Sequence, residues 1–491
     1  MCLSLPAAFT GCLGWAILRG FLPPAVRHLR ARCVGATMLI EGPGSVTSSD
    51  EDQLRFEVAP GGALRGRLRV PGDKSISHRA VMLAALADGV TEITGFLEGA
   101  DSLATLAAFR AMGVEAEGPE DGRLVVRGVG LHGLNEPGAA LDLGNSGTSM
   151  RLLAGLLAGQ RFPSVLTGDL SLSRRPMRRV TEPLAAMGAR IDTTQAGTAP
   201  LGIHPVSALH GIEYEMPVAS AQVKSSLLLA GLYADGETCV TEPAPSRDHT
   251  ERMLTAFGWP VRRDGSRVCV RGGGRLTAGP IAVPADVSSA AFFLVGASIA
   301  PGSDAVLERV GMNPTRIGVL NILRAMGADI RVEHERELGG EPVADLRVRA
   351  AALRGIRIHE DQVPLAIDEF PALFVAAACA DGETLLTGAA ELRVKESDRI
   401  QVMADGLAAL GVEVEPRDDG IRIAGRGAAG MLGGGRIDSH GDHRVAMAFA
   451  MAALRATAPI VIDDCLNVTT SFPGFAALAA GAGLGITEAG R

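Results

Sequence analysis

Aromatic side chains are scarce in this 491-residue chain, in which two Trp, two Tyr and 14 Phe make up 4% of the residues. That scarcity excludes a platform for stacking nucleic-acid bases and requires a core of Ala, Leu, Val, Ile and Met. Positive charge is also short: 47 Lys and Arg stand against 55 Asp and Glu, a formal charge of −8, so nothing draws the whole chain to nucleic acid or an acidic membrane. Any bound anion must be held by local basic clusters. The seven cysteines, at 2, 12, 33, 239, 269, 379 and 465, form no CxxC pair and no Cys/His spacing. Neither a disulfide framework nor a zinc site is therefore expected, and the cysteines read as reduced thiols of a cytoplasmic protein. The uncharged stretch from Cys2 to Leu18 is broken by Pro6, Gly11 and Gly14 and has no basic residue ahead of it, which argues against a secretory signal or a membrane span. Residues 1–37 lack Asp and Glu and carry several Arg, as a transit peptide or a translated upstream segment with Met38 as a later start would. Residues 1–52 are expected to be a disordered extension outside the fold.

The length favours two domains. The segments FRAMGVEAE, LAAMGARID, LTAFGWPV, LRAMGADIRV, LAALGVEVE and LAAGAGLGI share one plan: the end of an amphipathic helix, a Gly suited to the left-handed C-terminal position, then a strand. Those glycines are 113, 188, 258, 327, 411 and 483, about 70 to 84 residues apart. Between them recur six apolar helices opening on Asp, Asn or Ser, all good N-caps: DKSISHRAVMLAALADG, NSGTSMRLLAGLLAG, SAQVKSSLLLAGLYADG, DVSSAAFFLVGASIAPG, DEFPALFVAAACADG and DHRVAMAFAMAAL. Six units split three and three predict an α/β fold of two domains. Residues 53–72 with 284–491 would form the first domain and residues 73–283 the second, with crossings near RVPGDK and GPIAVPADVSS. Parallel buried helices would aim their positive ends at the gap between domains, and nearby Lys and Arg would make that gap an anion site.

Nine ordered motifs, GDKSISHR, LGNSGTSMRLL, SLSRRPM, ASAQVKSS, SRDHTERM, AIDEFPAL, LRVKESDR, GDHRVAM and TSFPGF, give this chain a resemblance to the 5-enolpyruvylshikimate-3-phosphate synthase family over about residues 55–488. SAQVKSS and RPMRRV are similar to its bacterial class II branch. The resemblance implies a two-domain inverted α/β barrel, or prism, of three βαβαββ units per domain. It also implies transfer of the enolpyruvyl group of phosphoenolpyruvate to the 5-hydroxyl of shikimate 3-phosphate with release of phosphate. No metal or organic cofactor, no nucleic acid and no membrane partner is implied, and a monomer is expected. Carried onto this sequence, phosphoenolpyruvate would be held by Lys74, Arg175, Gln222, Arg399 and Arg444, with the backbone of Gly147 against it. Shikimate 3-phosphate would meet Lys74, Ser75, Arg79, Ser220, Ala221, Gln222, Arg247, Asp368 and Lys395. Asp368 would be the base towards the 5-hydroxyl, and Lys74 and Glu396 would share the proton at C3.

Each of these residues has a plainer role open to it. A lone Arg is usually a surface ion pair, a Ser at a helix start usually a cap, and Asp368 at a buried helix start could be a cap as well. LGNSGTSMRLL lacks the GxGxxG and GxxxxGK[ST] patterns, so no dinucleotide or ATP is implied. His78, His440 and His443 show no metal-like grouping. Thr470 stands where many family members carry Lys, which puts one phosphoenolpyruvate contact in doubt. Gly147 implies sensitivity to glyphosate, because some tolerant relatives carry Ala there. A cleft lined by Arg and Lys is expected to repel itself when empty and to close on shikimate 3-phosphate. The rivals are UDP-N-acetylglucosamine enolpyruvyl transferase, which usually opens on Lys-Asn rather than Lys74-Ser75 and has a loop Cys absent between 34 and 238, and a non-catalytic phosphate-ligand binding protein.

Overall fold

The six apolar helices form where the sequence places them: α1 (Lys74–Leu86), α2 (Gly147–Ala158), α3 (Ala221–Gly231), α4 (Val287–Ile299), α5 (Phe370–Ala378) and α6 (His443–Ala452). All 13 residues of α4 are buried, as expected of a helix that is apolar all round. Asp73, Ser220, Asp286 and Asp442 cap α1, α3, α4 and α6 by accepting from backbone N–H groups one turn in. Two expected caps differ. Ser146, not Asn145, caps α2, and α5 starts after Glu369 with no side-chain cap, so the carboxylate of Asp368 is free for other partners.

This computed structural model describes residues 54–490, and of the preceding extension only the backbone of Arg32–Val34 and Thr37–Leu39, which pair antiparallel. The remaining expectations for residues 1–52, including a start at Met38, lie outside the described residues. No helix among the described residues is long and apolar enough to cross a membrane.

α1 to α3 share one hydrophobic core, spanning Ile76 to Val283, and α4 to α6 share another, drawn from Phe56 to Val70 and Ala285 to Ile486. Among the described residues, three sheets cover the α4–α6 core, and three four-stranded sheets with a two-stranded pair, Leu209–His210 and Ala234–Asp235, cover the α1–α3 core. In one, Asp88–Thr94 pairs antiparallel with Arg123–Val129, which pairs antiparallel with Glu115–Glu120, while Ile281–Ala282 adds a parallel edge strand. The same plan recurs around Asp304–Gly311, where Arg65–Leu68 is the parallel edge strand. The six repeat glycines all take positive φ, from +79° at Gly258 to +113° at Gly483, so each ends its helix in the left-handed region and turns the chain into a strand.

The chain crosses between cores twice, and the two crossings touch. The amide of Asp73 donates to the Pro284 carbonyl at 2.8 Å and that of Asp286 to the Pro71 carbonyl at 2.9 Å. The expectation that all cysteines are reduced thiols is corrected here. Cys239 and Cys269 face each other on adjacent antiparallel strands and form a disulfide. A separation of 30 residues hid that register. Cys379 and Cys465 are buried free thiols, both pushed up to about 12 by burial.

Candidate active site

The N-terminal ends of the buried helices converge on one cavity of about 680 Å³, reached by Lys74 and Ser75 of α1, Gly147 and Thr148 of α2, Ala221 and Gln222 of α3, Ser288 of α4, and His443 and Arg444 of α6. Asp368 enters it from the turn before α5. Each helix contributes free backbone N–H groups and the positive end of its dipole, so the helix starts alone make the cavity attractive to anions. Twelve of the 14 residues that the sequence proposes for the site line it; Arg79 and Arg399 do not.

Arg79 is buried beneath the cavity, where its guanidinium donates to the hydroxyls of Thr250 (2.6 Å) and Ser225 (2.7 Å) and to the Ser75 carbonyl (2.9 Å). Here it braces α1 against α3 and the following helix. Arg399 is 0% exposed and gathers three carboxylates: Asp442 at 2.8 Å, Glu396 at 2.6 Å and Asp368 at 3.3 Å.

Asp368 and Glu396 thus share a cation. Burial opposes ionisation of Asp368, but Arg247, Lys395, Arg444 and Arg399 outweigh it and hold the carboxyl well below its usual range. Arg247 pairs with it directly from the opposite core, Lys395 Nζ is 3.8 Å away, and Arg444 donates to its backbone carbonyl at 3.1 Å. For Glu396, burial is again outweighed, by Arg399, Arg175 and His443. Its carboxylate lies 3.5 Å from Arg175 Nη1, and Arg175 in turn donates to Asn145 Oδ1 at 2.6 Å. His443 itself is neutral: burial, then Arg444 and Lys74, drive it down to about 3. Lys74 Nζ rests 2.5 Å from Asp101.

The cleft is therefore not a bare cationic surface. Arg175 reaches Glu396, Arg247 reaches Asp368, and Arg179 reaches Glu391 at 3.0 Å, each pair joining the two cores. Attraction across the cleft stands where repulsion was expected. The geometry can exchange these partners: an anionic ligand that claims Arg247, Lys395 and Arg175 leaves Asp368 and Glu396 less compensated, raising their affinity for protons where a base is needed.

Ser220 accepts from the Val223 amide at 3.4 Å as a cap and also lines the cavity, so both of its roles coexist. Gln222 is oriented on both sides, accepting from Arg151 at 2.7 Å and donating to Thr148 Oγ1 at 3.1 Å. A Cβ on Gly147 would lie 3.0 Å from Arg151 Nη1 and 3.1 Å from Arg175 Nη1. The Thr470 hydroxyl donates to the Asn467 carbonyl, and the residue does not line the cavity. Arg151, Asp101, Arg179, Glu391 and Arg316 also line the cavity but are absent from the sequence-based set. Arg151 was within reach, being one helical turn past Gly147 on the same face. Asp101 begins a helix of the other kind and carries no local signal.

The fold and cleft define an α/β protein of two cores built to bind small anions between buried helix ends and to move protons there. A family model of EPSP synthase (3-phosphoshikimate 1-carboxyvinyltransferase) matches residues 58–478. The 3-phosphoshikimate 1-carboxyvinyltransferase of Alkalilimnicola ehrlichii is 71% identical over 435 residues, 89% of this chain and 97% of that protein. That of Methylococcus capsulatus is 69% identical over 437 residues, 89% of this chain and 99% of that protein. The solved EPSP synthase of Acinetobacter baumannii superposes with a TM-score of 0.81 at 58% identity, covering 89% of this chain and all of that one. The enolpyruvyl transferase NikO of Streptomyces tendae, at 17% identity and a TM-score of 0.70, shares the fold. The chain belongs to the EPSP synthase family.

Proposed function

We propose that this enzyme transfers the enolpyruvyl group of phosphoenolpyruvate to the 5-hydroxyl of shikimate 3-phosphate. The observation that supports it best is the pair of carboxylates, Asp368 and Glu396, held ionised by cations that two anionic substrates would claim. Each substrate carries a phosphate and a carboxylate, which suits the planar forks of Arg175, Arg247 and Arg444 together with the point charges of Lys74 and Lys395. Asp368 takes the proton of the 5-hydroxyl as its oxygen adds to C2 of phosphoenolpyruvate. Lys74 or Glu396 delivers a proton to C3, then removes one as the tetrahedral adduct expels phosphate. Ser75, Ser220, Ala221 and Gln222 orient the acceptor, and Arg79 and Arg399 hold the residues that touch it.

Each core is taken as one domain, residues 53–72 with 284–491 and residues 73–283, acting as a monomer in the cytoplasm. The free thiols of Cys379 and Cys465 accord with that compartment, while the Cys239–Cys269 bond does not.

Phosphate release by the purified protein, given phosphoenolpyruvate with shikimate 3-phosphate and, in parallel, with UDP-N-acetylglucosamine, tests this reading. Release with the shikimate compound alone supports it. Silence with that acceptor, or release only with the nucleotide sugar, refutes it. The same assay checks Gly147. With only hydrogen on its Cα, Gly147 leaves the Arg151 and Arg175 guanidiniums in place, so glyphosate is expected to inhibit. Gly147→Ala, which must push both groups back, is expected to relieve inhibition and raise the KM for phosphoenolpyruvate. Turnover of the unaltered enzyme that persists in excess glyphosate would refute this.

A further inference from the structure

Arg316, 3% exposed, stands where the two chain crossings meet and is joined to both. Its Nη1 lies 3.0 Å from Asp73 Oδ2, and its Nη2 lies 3.1 Å from Asp286 Oδ1 and 2.6 Å from Ser288 Oγ. Asp73 and Asp286 are the N-caps of α1 and α4, through Ile76 N at 2.9 Å and Ser288 N at 2.8 Å. Each cap thus meets the same guanidinium as well as its own helix start. The cluster is closed by His249 from the α1–α3 core, whose Nε2 accepts from Arg316 at 3.3 Å while Nδ1 donates to Glu341 at 2.7 Å. Glu369 completes it, 3.9 Å from Arg316 and hydrogen-bonded to Ser288.

Lys74 is the first residue of α1, and its own amide donates to Asp286 at 3.4 Å. Its backbone is therefore held by the two carboxylates that Arg316 grips, and from there its ammonium reaches Asp101. A fork meets the two carboxylates with separate, fixed donors, whereas an ammonium would have to meet them from a single point on a stem of different reach.

We propose that Arg316 is a positioning residue for Lys74: by clamping the N-caps of α1 and α4 across the two crossings, it sets where the Lys74 ammonium stands relative to Asp368. The inference rests on the transfer reaction proposed above. Arg316 touches neither substrate in this scheme; its effect passes through Asp73 and Asp286.

The test is Arg316→Lys, compared with Lys74→Arg and the double variant in the phosphate-release assay, with folding followed by thermal melts. Misplacing a catalytic group by about 1 Å costs on the order of 100-fold, so Arg316→Lys is expected to lose about that factor in kcat with far smaller changes in either KM. Combined with Lys74→Arg the losses should fail to multiply, because both act at one group. A folded Arg316→Lys protein with unchanged kcat, or losses that multiply, overturns the proposal. If Arg316→Lys does not fold, Ser288→Ala removes one of its contacts and should show the same kcat-only loss on a smaller scale; no loss there overturns it equally. A second readout is free of turnover. Acylation of Lys74 by acetic anhydride, followed by mass spectrometry of its peptide, should change several-fold in Arg316→Lys, and an unchanged rate refutes the clamp. Silence of the unaltered enzyme would strike at the transfer reaction, whereas the acylation rate would still decide the role of Arg316.

Discussion

Asp368→Asn is expected to lower kcat for phosphate release by about 10³-fold, within the usual contribution of a positioned general base. The amide keeps the shape of the carboxylate and cannot take the proton of the 5-hydroxyl. The accompanying change in KM separates this role from a structural one. Asp368 is the ion-pair partner of Arg247 across the cleft and lies 3.8 Å from Lys395. Neutralising it frees both cations for an anionic acceptor, so the KM for shikimate 3-phosphate should stay level or fall while kcat collapses. If Asp368 served only to anchor Arg247, the variant would keep kcat within about tenfold and change KM instead. Because bound anions would draw cations away from Asp368, the acid limb of kcat should also lie at higher pH than its carboxyl, depressed by Arg247 and Lys395, would imply.

Arg399→Leu is expected to cost about 3–5 kcal/mol of stability at neutral pH, the usual penalty for leaving buried charges without their partner. Arg399 is the strongest cation holding down both Asp442 and Glu396, whose ionisation is opposed chiefly by burial. The pH dependence should reverse. In the unaltered protein the folded carboxyls sit below their unfolded values, so their contribution is complete above about pH 4 and is lost as pH falls through the depressed folded values. Without Arg399, burial dominates at Asp442 and raises it above its unfolded value, so the variant should gain stability as pH falls from 7 towards about 5. Urea unfolding of both proteins at several pH values decides the matter. A variant that loses stability on acidification in parallel with the parent would show that Arg399 does not hold these charges.

The α/β architecture was legible because its signals are local and repeat. A left-handed Gly at the end of a helix and a polar cap before an apolar run are each contained in a few residues, and six copies fix the plan. Lys74, Gly147, Gln222 and Arg444 sit within a turn of a helix start, but it was the matched family motifs that singled out the lining residues one by one. What remained hidden depends on register and on contacts across the chain. Cys239 meets Cys269 only through strand pairing, and Lys74 meets Asp101 only because two helices pack. The charge pattern misled in one respect. Counting cations suggested a self-repelling cleft, whereas Glu391, Glu396 and Asp368 arrive from the other core to meet them.

The strand Arg55–Gly62 lies between Ile460–Asp463 and Leu484–Ala489, so its neighbours are separated from it by nearly the whole length of the fold. During synthesis it would leave the ribosome some 400 residues before its partners, while every strand and helix of the core from Ile76 to Val283 emerges as one uninterrupted stretch. The core around α1 to α3 can thus form early from local pairings, whereas the other must keep an apolar strand, with Phe56 and Val58, unpartnered until the last element appears. Slow, late closure and a window for aggregation therefore belong to the α4–α6 core, as a direct result of threading the chain through both.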